Sequence, residues 1–146
     1  MKNSELIRAH GEVVAQGPFT HTVLRYVHDI GTAEFINVGL VVAMTDVPCV
    51  AAKFNTDFRR VKCAFPTLDV EVFVARMKRL QSCFDGIDET WCTELRARVG
   101  DSLMALVRSV LPLEDTALHW SPVGADAGGP LPAALQLLYQ RFVVIA

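Results

Sequence analysis

The stretch Thr20-His-Thr-Val-Leu-Arg-Tyr-Val-His-Asp-Ile-Gly-Thr-Ala-Glu-Phe-Ile-Asn-Val-Gly-Leu-Val-Val-Ala-Met44 decides the fold. From His21 to Val27, Thr22, Leu24 and Tyr26 share one face of a period-two pattern, and Val23, Arg25 and Val27 share the other. From Glu34 to Met44 a second run sets Ile36, Val38, Leu40 and Val42 on one face and Phe35, Asn37, Gly39 and Val41 on the other. Apolar groups on both faces mark strands covered on both sides. Between the runs, Asp29 and Gly31 suit a turn, because Asp bonds to nearby backbone and Gly accepts positive φ. The economical reading is an antiparallel hairpin.

Arg25, Glu34 and Asn37 stand out against this apolar background. A buried charge without a partner is costly, so these groups are expected to pair with one another or to line a cleft. In simple register Arg25 and Asn37 fall near one another. Two readings stand: a structural link that fixes register, or a recognition site for an anion or carboxylate, which the planar Arg fork suits. Gly39, lacking a side chain, leaves room for a neighbouring aromatic ring or backbone.

The motif LRYxxD, Leu24 to Asp29, followed by EFxNVGxVV, Glu34 to Val42, resembles the signature of a small uncharacterised bacterial family, domain of unknown function 3037. Tyr26 joins the candidate residues as part of that motif. The resemblance extends through Arg59-Arg60-Val61, a helical middle, Ser121-Pro122 and a final LYQRFV helix; His28 stands where the family pattern has Pro. It implies no established activity, and it points to a HipA-like kinase as a partner.

A chain of 146 residues fits one domain with a substantial core. Apolar residues make up 51% and charged residues 21%, a globular balance, and 14 Lys and Arg against 16 Asp and Glu give a net charge of −2. No global attraction to nucleic acid or anionic membrane follows. The start lacks a signal-type apolar segment, and no run approaches the roughly 20 apolar residues of a membrane span, so a cytoplasmic protein is expected. Cys49, Cys63, Cys83 and Cys92 form no CxxC pair and are read as reduced and partly buried; with His10, His21, His28 and His119 equally scattered, no metal and no cofactor is expected.

Residues 1–18 read as an N-terminal arm, mobile or a short helix, and 19–146 as the domain. Asp46 and Pro48 turn the chain into a third strand with Val50, Ala52 and Phe54 on one face. Thr56 and Asp57 offer an N-cap and a first-turn acid for a short helix with Phe58, Val61 and Phe65 inward and Arg59, Arg60 and Lys62 outward, stopped by Pro66. Val70, Phe73, Met77, Leu80 and Phe84 mark an amphipathic helix behind Asp69, and Trp91, Leu95, Val99, Leu103, Leu106 and Val110 mark a second one interrupted at Gly100 and ended by Pro112. A short strand at Leu118–Trp120, a glycine-rich loop at 123–130 and a last helix through Leu131, Leu135, Leu138 and Phe142 complete an α+β domain: an antiparallel sheet of about four strands with helices mainly on one face.

For function, the glycine-rich loop lacks the phosphate-binding GxxxxGK[ST] pattern. His28, Asp29 and Glu34 could serve as acid and base with Arg25 holding an anion, although their spacing does not make them converge. Cys63, beside basic residues, is a candidate reactive thiol or a small buried residue. Arg59 and Arg60 are candidate phosphate or RNA contacts or a solvated face. A non-enzymatic interaction module leads, using a sheet edge or the Arg25–Asn37 face; an enzyme acting on a phosphate-containing substrate and an RNA-binding module are the alternatives. Self-association through an apolar helix face is the structural competitor.

Overall fold

The structure is a computed structural model that describes residues 5–9, 12–29, 31, 32, 34–45, 47–100, 102–111, 117–126, 128 and 130–144. Asp46, Pro112, His10 and the last two residues, all of which entered the sequence reading, lie outside the described residues.

The long strands β3 (Phe19–Asp29) and β4 (Glu34–Met44) pair antiparallel as the hairpin at the centre. β5 (Val50–Phe54) adds to β4, while β6 (Leu118–Trp120) and β7 (Gly124–Asp126) lie end to end along the other side of β3. Buried Thr22 donates to the Ser121 carbonyl (2.7 Å), and Ser121 Oγ accepts from the Val23 amide (2.9 Å), which fastens the link between β6 and β7 to β3. β7 falls where the sequence predicted only a loop. Its glycine is what permits the pairing: a Cβ on Gly124 would come within 2.6 Å of the His21 ring. Asp126 holds the same ring through Nδ1 at 2.8 Å.

The expected alternation along β4 holds only up to a bulge. Leu24 pairs with Gly39 and Arg25 with Asn37, so Val38 is an extra residue. Val38 therefore packs with Val41 and Ala43, while Leu40 and Val42 face the opposite core, correcting the expectation that Val38, Leu40 and Val42 share a face. A second irregularity leaves His28 unpaired between Val27 and Asp29.

Both faces of the sheet are covered. On one, Leu24, Val38 and Val41 pack with α2 (Val70–Asp85), α3 (Glu89–Val99) and α4 (Leu103–Val110) through Phe73, Met77, Leu80, Leu95 and Val107, beside α1 (Arg59–Ala64). Asp69 caps α2 by accepting from the Val72 amide, and Gly100, at φ +89, separates α3 from α4. The expected Thr56 cap and first-turn Asp57 of α1 are displaced by one step: Phe58 occupies the cap position without a side-chain bond, and Asp57, ahead of it, accepts from both the backbone amide (3.2 Å) and the guanidinium of Arg59. On the other face Phe19, Val23, Leu40 and Met44 meet α5 (Leu131–Tyr139), which continues into a wider π-helical turn, Gln140–Val144. The N-terminal arm, expected to be mobile or a short helix, contains a two-stranded hairpin, β1 (Glu5–Ala9) with β2 (Glu12–Gln16). Cys63 and Cys83 are exposed rather than partly buried, Cys92 is buried, and all four thiols are free. Among the described residues no helix is long and apolar enough to cross a membrane.

Candidate functional site

The sheet divides the predicted site residues between its two faces. Arg25 and Asn37 point to the α5 side, as the register of β3 and β4 requires, whereas Tyr26 packs against the helical core with Phe65 and Phe73. Arg25, Glu34 and His28 do not converge: Glu34 is exposed near the hairpin turn, and His28 joins the Tyr26 side. Of Asp29 only the backbone is described.

On the α5 side, Asn37 Nδ2 donates to the Phe142 carbonyl (2.9 Å) and Arg60 Nη1 to the Val143 carbonyl (2.8 Å). The last carbonyls of a helix lack partners within it, so these two side chains act as a cap for the terminal turn. Val143 is 1% exposed, so the same contacts seat its side chain in the core. The Arg25 guanidinium carbon stands 4.4 Å from the centroid of the Phe35 ring, a cation–π contact, and Phe35 is 46% exposed. Arg25 Nε and Asn37 Oδ1 are buried without a hydrogen-bond partner among the described residues. His21 stacks on Phe142 at 5.4 Å beside these groups.

On the helical side, the His28 ring stacks on Phe65 (4.8 Å between centroids) with both nitrogens engaged: Nε2 with Thr67 Oγ1 at 2.8 Å and Nδ1 with the Tyr26 hydroxyl at 3.3 Å. A neutral imidazole donates through one nitrogen and accepts through the other, so one hydroxyl accepts while the other donates, a short proton-relay geometry. Burial pushes the Tyr26 phenol up, partly offset by Arg76. Beside it a cavity of about 100 Å³ is lined by Tyr26, Asp69, Phe73, Arg76 and Leu118.

Gly39 lies beneath the Phe54 ring, whose Cδ1 would stand 2.4 Å from an added Cβ, so its role is close packing. Arg59 is held by Asp57 through Nε (2.9 Å) and Nη2 (2.6 Å), and those hydrogen bonds hold the Asp57 carboxyl at about 2. Among the described residues no group of three His, Cys, Asp or Glu side chains is placed to hold a metal ion.

Sequence reasoning missed Phe35 and Thr67. Phe35 was simply an apolar member of a face; its position one residue from Glu34 and the turn, beyond the covering helices, is the signal that it stays outside. Thr67 carries no such signal, since its meeting with His28 spans 39 residues.

No curated protein and no solved structure matches the chain. A family model described as a protein of unknown function, DUF3037, matches residues 21–143, which includes both strands of the hairpin and the terminal helix. The chain belongs to the DUF3037 family.

Proposed function

We propose that the protein is a non-enzymatic interaction module of the cytoplasm, docking a protein partner on the Arg25–Phe35–Asn37 face of its hairpin. The observation that carries this reading is the half-exposed Phe35 ring lying against the Arg25 guanidinium. Aromatic and Arg side chains concentrate binding energy at protein interfaces, and this pair is already assembled across the two paired strands of the hairpin. Docking on the face fits better than adding a strand at an edge. At β5, Gln81 accepts from the Phe54 amide and donates to the Ala52 carbonyl (both 2.9 Å), taking the place of a neighbouring strand. At the other edge Pro122 follows β6 and has no amide to offer.

The family resemblance makes a HipA-like kinase the first partner to try. The test is a pull-down of the tagged chain from lysate of its source organism, with Phe35→Ser and Arg25→Ala alongside and circular dichroism to verify folding. A stoichiometric partner retained by the wild type and lost by both variants is the expected result. Equal recovery with Phe35→Ser, or no partner at any salt tested, would refute the reading.

A second reading, an enzyme acting on a phosphate-containing substrate, has one observation in its favour: the Thr67–His28–Tyr26 chain beside a cavity that Arg76 lines. It predicts turnover abolished by His28→Ala at unchanged stability. RNA contact finds less support, because Arg59 is held by Asp57, Arg60 by the Val143 carbonyl, and Lys62 by the Leu68 carbonyl.

A further inference from the structure

α5 carries no charged residue from Leu131 to Tyr139, and the core does not use all of its apolar groups. Leu131, Ala134 and Leu138 are buried against the sheet, whereas Leu137 is 71% exposed with β1 and β2 in place, so the N-terminal hairpin does not cover it. A lone exposed leucine is ordinary. This one borders a hollow of about 260 Å³, open to solvent, whose lining includes Phe19, Asp126, Gly128, Ala133 and Ala134. Asp126, the one charged group among the described lining residues, is occupied: its carboxylate meets His21 Nδ1 at 2.8 Å. A projecting side chain and an apolar hollow thus share one surface.

That combination fits a second copy of the same chain. Across a two-fold axis one patch supplies both sides of the contact, so that residue i touches j while j touches i. Such a patch has to tolerate itself, because a charge beside the axis would face its own like. It also has to hold a projection and a hollow together, whereas an unrelated partner needs only one of them. Ala133 and Leu137, one turn apart on the exposed face of α5, meet both conditions. With two α5 helices antiparallel and the axis between these positions, Leu137 of each copy lies over Ala133 of the other. The small side chain there, with Ala134 and Gly128 beside it, leaves space for the leucine to enter. A net charge of −2 adds little repulsion between copies.

We infer that the protein pairs with a second copy of itself across the outer face of α5, Leu137 of each copy seated in the hollow beside Ala133 of the other. This contact is separate from the docking face: the hollow reaches Phe19, at the far end of β3 from Arg25 and roughly 20 Å away at strand spacing. The inference goes beyond the docking reading, and it sets two docking faces in one assembly. A nine-residue helix is about 14 Å long, so a contact built on it is smaller than the roughly 1,200 Å² of a stable complex. The dimer is therefore reversible and grows with concentration.

The test is sedimentation equilibrium of the full chain from micromolar to millimolar concentration, under reducing conditions so that exposed Cys63 and Cys83 form no cross-link. Leu137→Asp is the disrupting variant, and Val72→Asp, at an exposed valine on the opposite face, controls for the added charge. Circular dichroism verifies folding, which neither exposed position is expected to disturb. The wild type should pass reversibly from the mass of one chain to that of two. Leu137→Asp drives a carboxylate into the apolar hollow and should weaken pairing at least about tenfold, while Val72→Asp leaves it unchanged. The double variant Leu137→Asp with Ala133→Arg should restore pairing, because the new carboxylate of each copy meets the new guanidinium of the other. A single-chain mass throughout, a dimer indifferent to Leu137→Asp, equal loss with Val72→Asp, or no recovery in the double variant would each overturn the inference. So would a chain that stays monomeric alone but captures another protein through Leu137, which gives the hollow to that protein. The two readings fail separately. Phe35→Ser should abolish partner capture and leave the dimer intact; loss of the dimer with Phe35→Ser would move the contact to the docking face and overturn the inference.

Discussion

Replacing Gly39 by Ala tests the packing that holds the hairpin to its helices. The new Cβ would lie 2.4 Å from Phe54 Cδ1, 2.9 Å from Cε1 and 3.3 Å from Leu24 Cβ, so the Phe54 ring has to move. It has little room to do so, because Phe54 is buried, with the Phe84 ring 5.5 Å away and Trp120 packed behind that ring at 6.2 Å. Overpacking of this kind costs about 1–3 kcal/mol. Replacing a strand glycine returns about 0.5–1 kcal/mol by reducing the freedom of the unfolded chain. The net expectation is a loss of about 1–2 kcal/mol, or a fall in Tm of roughly 2–8 °C for a chain of this size. Urea unfolding of Gly39→Ala, Phe54→Leu and the double variant is the assay. The smaller Leu side chain relieves the clash, so Gly39→Ala in the Phe54→Leu background is expected to be neutral or stabilising, with a coupling of about 1 kcal/mol or more. Wild-type stability in Gly39→Ala, or the same loss in both backgrounds, would refute the reasoning.

Three further outcomes are expected. Ser121→Ala leaves the buried Val23 amide without its acceptor and should lower unfolding free energy by about 1–3 kcal/mol, measured by urea denaturation. Gln81→Leu removes both bonds that close the β5 edge and should raise self-association, read by size-exclusion chromatography with light scattering; a monomer at every concentration would count against the edge-closing role. Burial raises the Tyr139 phenol from 10.0 to about 12, so the unfolded chain loses that proton first as pH rises. Stability should fall between about pH 10 and about 12, and Tyr139→Phe should flatten the slope in that window.

The parts of the fold legible in the sequence are those with a local cause. The two-sided β3 and β4 carry apolar groups at every second position, and α2 buries Phe73, Met77, Leu80 and Phe84 behind an Asp69 cap that the sequence announces. The bulges were hidden, because an inserted residue at Val38 changes which face follows it without changing the composition of the run. β7 was hidden for a different reason: Gly-Ala-Asp has no strand propensity of its own, and it pairs because Asp126 reaches His21 across 105 residues. The same separation governs the candidate site. The register of Arg25 with Asn37 follows from the hairpin, but the Asn37 bond to Phe142 and the Arg60 bond to Val143 depend on where the last helix docks. Of the polar residues that stand out in the apolar runs, Asn37 thus proves to cap a distant helix together with Arg60 from α1, while the exposed Phe35 beside Arg25 carries no such mark in the sequence.

The central claim, that the Arg25–Phe35–Asn37 face is where a partner docks, is tested most directly by placing a photo-crosslinking phenylalanine analogue at position 35 in cells of the source organism. Exposed Val72, on the opposite face of the sheet, is the control position. The account predicts one discrete protein adduct from position 35 that is absent from position 72. No adduct at 35, or the same adduct from both positions, would contradict it.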